Sequence, residues 1–324
     1  MRITRRNFLR MSAYAAAATG LTGFDLGNLS KAFAAGPPPV LWLEGLGDQG
    51  CIVSLANYFD GTAGIEGVLL ESIDMKFNPV LSAAAGDQAI DVAEAVYGDY
   101  LNNPYVLVLT GSLTNLDGYC VVGEHGTNGV MQLMETFNRW EDRAAWVIYA
   151  GACATYGGVN ALGGNSMSNE ANVFPPTHKN AATFKNTNYD YSKSLYLPGC
   201  PVHPDWVVLS IVHILTNAAL PPRDSIGRPI SLLGTPVFAN TVHSQCPRLT
   251  EHDAGNFAEQ IGDPVKCLRS VGCRGKETYA DCPTRGWNSV GAYCNKPGVN
   301  GLCIGCTQPS FPDVPFNREI TDIS

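Results

Sequence analysis

Apolar and polar residues alternate in blocks along the first two thirds of the chain. Three short apolar runs predict buried β-strands: residues 40–43, 105–109 and 145–149. Apolar residues recur at helical spacing in three other segments: residues 87–101, 130–140 and 205–219. The first two helices place Leu101 and Val130 on their apolar faces. Strands that alternate with helices predict a parallel sheet with helices on both faces.

Two cysteines follow predicted strands directly. Cys51 lies in the loop after the strand at 40–43, and Cys153 follows the strand at 145–149. Because parallel sheets carry their functional loops at the carboxyl ends of the strands, these cysteines are the first indication of a site.

The pattern changes after Pro221. Glycine, proline and cysteine become frequent there, and regular periodicity fades. Such a segment lacks a large hydrophobic core of its own, and bound metal clusters can order it. We therefore predict a domain boundary near Pro221, between an α/β domain at residues 36–220 and a smaller irregular domain at residues 221–324.

Composition indicates a folded, acidic protein. Of the 324 residues, 45% are hydrophobic and 15% are charged, which suffices for a sizeable core. The formal net charge is −8, and it becomes −12 without the first 35 residues, of which five are basic and one is acidic. This charge excludes a nucleic-acid partner, and no later apolar run predicts a membrane span.

Residues 1–35 predict an export signal. A basic segment with paired Arg5 and Arg6 precedes an alanine-rich stretch and the sequence AFA at residues 32–34. Phe8 and Leu9, directly after the pair, favour a twin-arginine signal over an ordinary secretory signal. We therefore expect the protein in the periplasm or on the outer face of the cytoplasmic membrane, exported after it has folded around its cofactor.

Eleven cysteines follow the signal, and they admit several interpretations. Disulfides are the usual expectation in an exported protein, but the number is odd and six of the eleven lie between Cys267 and Cys306. A zinc ribbon needs two CxxC pairs, and only Cys303 and Cys306 form one. Thiolates are also the soft ligands that iron–sulfur clusters require. An exported disulfide-bonded protein and a ferredoxin-like carrier therefore remain alternatives to a large iron–sulfur protein.

An ordered set of short motifs resembles the small subunit of nickel–iron hydrogenases. Besides the paired arginines, the motifs are WLEG at 42–45, GACATYGG at 151–158, PGCP at 198–201, CIGC at 303–306 and CTQPSFPD at 306–313. The resemblance covers nearly the whole chain. It implies a flavodoxin-like parallel-sheet domain followed by an iron–sulfur domain, and an electron-transfer subunit of a heterodimeric hydrogenase. The catalytic nickel–iron centre would lie in the large partner subunit, and a cytochrome or another redox acceptor would take the electrons.

The resemblance also implies three iron–sulfur clusters. The distal [4Fe–4S] cluster would be bound by His243, Cys246, Cys267 and Cys273. The medial cluster would be bound by Cys282, Cys303 and Cys306. In many relatives it is a [3Fe–4S] cluster with a proline at the fourth position. Here Cys294 stands near that position, which favours a [4Fe–4S] cluster over a free thiol at Cys294.

The proximal cluster departs from the family pattern. Cys51, Cys153 and Cys200 match three of its four cysteine ligands, but Asp48 occupies the position of the fourth. A carboxylate can bind iron, although it is a harder ligand than a thiolate. Cys120 is the alternative fourth ligand, and we favour Asp48.

Overall fold

The computed structural model describes residues 37–59, 64–71, 73–114, 116, 118–161, 173–174, 191–287, 291–299 and 301–312. The predicted export signal lies outside these ranges. The strands are β1 (Pro39–Glu44), β2 (Asp74–Phe77), β3 (Val106–Thr110), β4 (Leu113–Thr114), β5 (Val121–His125), β6 (Gly129–Gln132), β7 (Trp146–Ala150), β8 (Val173–Phe174), β9 (Ser194–Leu197), β10 (Ser231–Leu232) and β11 (Thr235–Pro236). The helices are α1 (Gly50–Ala56), α2 (Ile65–Glu71), α3 (Asp87–Gly98), α4 (Leu133–Arg143), α5 (Ala152–Tyr156), α6 (Pro204–Asn217), α7 (Leu249–Asp253) and α8 (Cys282–Arg285).

A parallel sheet of five strands forms the centre of the fold, in the order β2-β1-β3-β7-β9. Successive residues of each strand point to opposite faces. On β1, for example, Val40 and Trp42 belong to one core cluster and Leu41 and Leu43 to the other. All four are at most 1% exposed, which explains why the sequence shows an uninterrupted apolar run here rather than alternation. The predicted α/β sheet is confirmed.

Different helices cover the two faces of the sheet. Residues of α1, α2 and α6 pack on the first face, and residues of α3 and α4 pack on the second. None of the helices in the described ranges combines the length and hydrophobicity needed to cross a bilayer.

The structure corrects the bounds of two predicted helices. Helix α3 ends at Gly98, so Leu101 lies beyond it and is 79% exposed. The helix predicted at residues 130–140 begins only at Leu133, because residues 129–132 form strand β6, which pairs with β5 in a hairpin. Val130 is consequently 56% exposed. Over a segment as short as residues 129–132, the spacing of the apolar residues fits a helix and a strand equally well.

Three strand ends place cysteines at the same edge of the sheet. Cys51 begins α1 after β1, Cys153 begins α5 after β7, and Cys200 follows β9. Strand order reverses between β1 and β3, because the chain passes from β1 to β2 on one side and then to β3 on the other. Such a reversal opens a crevice at the carboxyl ends of parallel strands. Cys51 and Cys153, which the sequence predicted in loops, therefore lie in the first turns of helices. Both are at the carboxyl edge of the sheet, as predicted.

The cysteine-rich segment packs on the first face of the sheet. Five apolar residues from this segment and Cys303 join the core cluster of that face: Leu232, Val237, Phe238, Val242 and Ala280. The indole Nε1 of Trp206 on α6 donates to Asp281 at 2.9 Å, and His203 Nε2 lies 2.6 Å from the carbonyl oxygen of Gly286. These buried contacts fix the segment against α6. The domain boundary near Pro221 stays a prediction.

Candidate metal-cluster sites

All eleven cysteines are free thiols in the structure. The disulfide interpretation is therefore wrong for this fold. A structural zinc ion needs four ligands at about 2.0–2.3 Å. Within the described residues, no group of three or more His, Cys, Asp or Glu side chains is disposed to hold a single metal ion.

The first group of ligand candidates lies at the carboxyl edge of the sheet and consists of Asp48, Cys51, Cys153 and Cys200. Burial raises the pKa of the Cys51 thiol to about 12, and repulsion from Cys153, Cys200 and Asp48 adds to this effect. Burial, followed by repulsion from Cys200, raises the pKa of Cys153 to about 11. For Cys200, burial again raises the pKa, with Asp48 as the second cause. The carboxylate is thus within electrostatic range of all three thiols.

Glycines leave the space that these sulfur atoms occupy. Gly151 has φ +96°, and a Cβ atom there would lie 2.4 Å from the Sγ atom of Cys51. A Cβ atom at Gly158 would lie 2.8 Å from the Sγ atom of Cys153. Any other residue at these two positions would push the sulfur atoms away from the crevice.

Cys120 lies apart from the first group. It packs against the core cluster of the second face of the sheet, whereas Cys51 packs against the cluster of the first face. Burial raises the pKa of Cys120 to about 11, and among the described residues Glu44 adds to this effect. Asp48 acts electrostatically on Cys51, Cys153 and Cys200, whereas no comparable effect of Cys120 on them is found in the described part of the chain.

The second group consists of Cys282, Cys294, Cys303 and Cys306. Burial raises the pKa of Cys282 well above its usual value, with repulsion from the other three cysteines as a further cause. Burial also raises the pKa of Cys306 to about 12, and Cys294 is the first of the charged neighbours that add to it. Cys294, which sequence spacing alone left open, thus lies with the other three.

The third group consists of His243, Cys246, Cys267 and Cys273. These four side chains line one cavity together with Arg248, Arg269, Lys276 and Asn295. The backbone N–H of Arg248 and the Nδ2 atom of Asn295 each donate to the Sγ atom of Cys246, at 3.4 Å. Burial raises the pKa of Cys246 and Cys267 and lowers that of His243.

The three groups contact one another in sequence. Cys200, in the first group, is close enough to Cys306, in the second, to raise the pKa of its thiol. Cys273, in the third group, likewise raises the pKa of Cys303 in the second. The second group therefore lies between the first and the third.

Burial and ligand type suit iron–sulfur clusters in all three groups. The buried sulfur atoms have strongly raised pKa values, so without metal they are thiols at neutral pH. Iron stabilises the thiolates and releases their protons, which offsets the cost of burial. The three groups supply ten cysteines, one histidine and one aspartate, and sulfur predominates among cluster ligands.

Sequence reasoning missed three polar residues near these groups. Glu44 is half-buried, and both burial and Asp48 raise its pKa. Arg248 and Asn295 donate to Cys246, as described above. The only signal for Arg248 and Asn295 was their position within two residues of a cysteine.

Family comparisons match both parts of the chain. Residues 238–317 match the family that comprises the C-terminal part of the NiFe/NiFeSe hydrogenase small subunit. Residues 49–214 match the family described as NADH ubiquinone oxidoreductase, 20 Kd subunit. The two matches together include every residue of the second and third groups and all but Asp48 of the first.

Individual relatives match nearly the full length. The periplasmic [NiFeSe] hydrogenase small subunit of Desulfomicrobium baculatum is 31% identical, over 97% of this chain and 97% of its own. The periplasmic [NiFe] hydrogenase small subunit of Solidesulfovibrio fructosivorans is 30% identical, over 98% and 93%. A solved structure of recombinant [NiFeSe] hydrogenase from Desulfovibrio vulgaris Hildenborough has a TM-score of 0.75 at 33% identity, covering 87% of this chain and 98% of that chain.

Gly151→Ala should selectively displace Cys51. The new Cβ atom would collide with the Cys51 sulfur, so we expect iron to be lost from the first group while the other two groups keep theirs. Gly86→Ala is the matched control, because Gly86 also has a positive φ (+58°) but nothing within 4 Å of a Cβ atom. Both variants carry a backbone cost of about 1–3 kcal/mol, because both glycines combine a positive φ with an extended ψ. Iron and sulfide analysis of both proteins checks this, and equal contents would contradict it.

Proposed function

Because the chain belongs to the small-subunit family of nickel–iron and nickel–iron–selenium hydrogenases, we propose that it conducts electrons through three iron–sulfur clusters. The protein is the electron-transfer subunit of a hydrogenase heterodimer, and the family binds iron–sulfur clusters. The finer assignments concern the ligands, the order of the clusters, the partner surfaces and the route of export.

The spatial order of the three ligand groups, with the second between the first and the third, is the observation that supports this proposal. A cysteine of the first group, Cys200, acts electrostatically on Cys306 of the second, and Cys273 of the third group acts on Cys303 of the second. When bound, the clusters supply one-electron redox chemistry. The chain's own residues hold the three sites in a row, proximal, medial and distal, and bury Cys267 and Cys303 most deeply among the cysteines.

We assign the proximal [4Fe–4S] cluster to Asp48, Cys51, Cys153 and Cys200. Asp48 acts electrostatically on all three cysteines, which supports this set. Cys120 packs against the core cluster of the other face of the sheet, which argues against Cys120 as the fourth ligand. We assign the medial [4Fe–4S] cluster to Cys282, Cys294, Cys303 and Cys306, supported by the action of Cys294 on both Cys282 and Cys306. His243, Cys246, Cys267 and Cys273 then bind the distal [4Fe–4S] cluster.

The large catalytic subunit would dock around the proximal end. Val53, two residues after Cys51, is 52% exposed, and Val159, whose backbone lowers the pKa of the Cys153 thiol, is 48% exposed. Exposed apolar residues beside a redox site suit an obligate interface, which typically buries about 2,000 Å² or more. Electrons would leave near His243 to a cytochrome or another acceptor.

Metal analysis of the heterodimer tests the number and type of clusters. We expect iron and inorganic sulfide equivalent to three [4Fe–4S] clusters in the small subunit, and no [3Fe–4S] EPR signal from the oxidised medial site. Cys294→Ser should create such a signal or remove the medial cluster, because it removes one of four thiolates. Cys120→Ser is the control and should keep all three clusters. An intense [3Fe–4S] signal from the oxidised wild-type medial site would refute the Cys294 assignment.

Substitution of Asp48 tests the fourth proximal ligand. Asp48→Ala should alter the EPR signal of the proximal cluster alone, because the carboxylate acts only on the first group. Asp48→Cys should retain a complete proximal cluster, since it restores the fourth thiolate of the family pattern. If Asp48→Ala leaves the signal unchanged and Cys120→Ser alters it, Cys120 is the ligand instead.

We also propose that residues 1–35 direct export by the twin-arginine route, consistent with relatives named as periplasmic. The conservative double substitution Arg5→Lys and Arg6→Lys should retain the folded protein in the cytoplasm, because the pair itself is the recognition signal. Arg10→Lys, outside the pair, should leave export intact. Immunoblots of periplasmic and cytoplasmic fractions measure the outcome, and normal export of the double variant would contradict the route.

A further inference from the structure

Arg248 is a buried cation among the segments that carry Cys246, Cys267 and Cys294. It is 3% exposed. Its Nε atom donates to the carbonyl oxygen of Asn295 at 3.3 Å, and its Nη1 atom donates to that of Lys266 at 2.6 Å. Lys266 precedes Cys267, and the backbone N–H of Arg248 itself donates to Cys246 Sγ. The guanidinium is therefore held in place by the segments that bear two distal ligands.

The guanidinium of Arg248 forms no ion pair with a carboxylate of the described residues, and the carboxylate on which it acts from a greater distance is that of Asp263, whose pKa it helps to lower. Its Nη2 atom is buried and has no hydrogen-bond partner among them, and the side chain lines the distal cavity. Other arginines of low exposure are paired: Arg228 with Asp224, Arg269 with Glu277 and Arg285 with Asp281. Arginine stays ionised, and a buried charge without an ion-pair partner is energetically costly. A negatively charged group in the cavity would compensate it.

The side-chain amide of Asn295 is a second hydrogen-bond donor to Cys246, and its position depends on Arg248. It is 3% exposed, and its Nδ2 atom donates to Cys246 Sγ at 3.4 Å. Because its own carbonyl oxygen accepts from Arg248, the arginine fixes the backbone from which this amide reaches the sulfur. Asn295 also follows Cys294 directly, so the pair lies between the medial and the distal ligand sets.

We propose that Arg248 and Asn295 are positioning residues that raise the reduction potential of the distal cluster. The inference rests on the proposed function, namely that Cys246 is a distal ligand. Reduction adds negative charge to a cluster, so a fixed positive charge and N–H donors to sulfur stabilise the reduced form. Arg248 contributes the charge, and Asn295 contributes the side-chain hydrogen bond to Cys246.

The test is a redox titration of the intact heterodimer, followed by EPR of the distal cluster. Arg248→Gln should shift the distal midpoint to a more negative potential, because it removes the charge and keeps a side chain able to hydrogen-bond. Arg248→Lys should stay closer to the wild type. Arg139→Gln is the matched control, since Arg139 lies on α4, on the other face of the sheet, where its Nη1 donates to Glu94 at 2.7 Å. It should leave the distal potential unchanged.

Two results would overturn the inference. One is an unchanged distal midpoint in Arg248→Gln with full iron content. The other applies if Arg248→Gln does not assemble. Asn295→Ala removes only the side-chain donor, so it should shift the distal midpoint to a more negative potential by a smaller amount. An unchanged distal midpoint in Asn295→Ala would then refute the proposal. Failure of the proposed function is separate, because Cys246→Ala would then leave the distal signal of the heterodimer intact.

Discussion

The structure depends on one electrostatic constraint, the placement of several buried sulfur atoms within range of one another. In each of the three groups, burial is the largest cause of the raised thiol pKa, and repulsion between neighbouring cysteines adds to it. Such thiols cannot ionise together unless a cation lies among them. Iron removes this conflict, so cluster binding and the final packing of the chain are one thermodynamic event.

The two parts of the chain meet this constraint by different means. The ligand candidates of the first group stand at strand ends and helix starts, where the sheet positions them. Those of the second and third groups lie in a segment with only short helices and strands, which packs on α6 and the sheet through a few buried contacts such as Trp206 to Asp281. That segment has more to gain from cluster binding, because metal ligands there replace much of an ordinary core.

The extent to which the sequence predicts this structure follows from the range of the interactions involved. The strands of the sheet were predictable because their residues are buried on both faces, so each gave a continuous apolar run. The segment at 129–132 was assigned wrongly, because four residues of a hairpin strand do not distinguish two periods. Spacing also indicated which cysteines belong to the cysteine-rich segment. It did not determine whether Asp48 or Cys120 faces the proximal cysteines, because that depends on which face of the sheet a distant loop reaches. Arg248 carried no pattern at all, since its role arises from carbonyl oxygens at residues 266 and 295.

The charges around the row of ligand groups are unequal at its two ends. Near the proximal group lie the carboxylates of Asp48 and Glu44, and burial keeps the pKa of Glu44 raised. The distal cavity is lined instead by Arg248, Arg269 and Lys276, of which Arg248 has no carboxylate partner among the described residues. Negative charge disfavours an added electron and positive charge favours it, and low-dielectric surroundings strengthen both effects. If the three groups hold clusters, these fixed charges lower the reduction potential at the proximal end and raise it at the distal end.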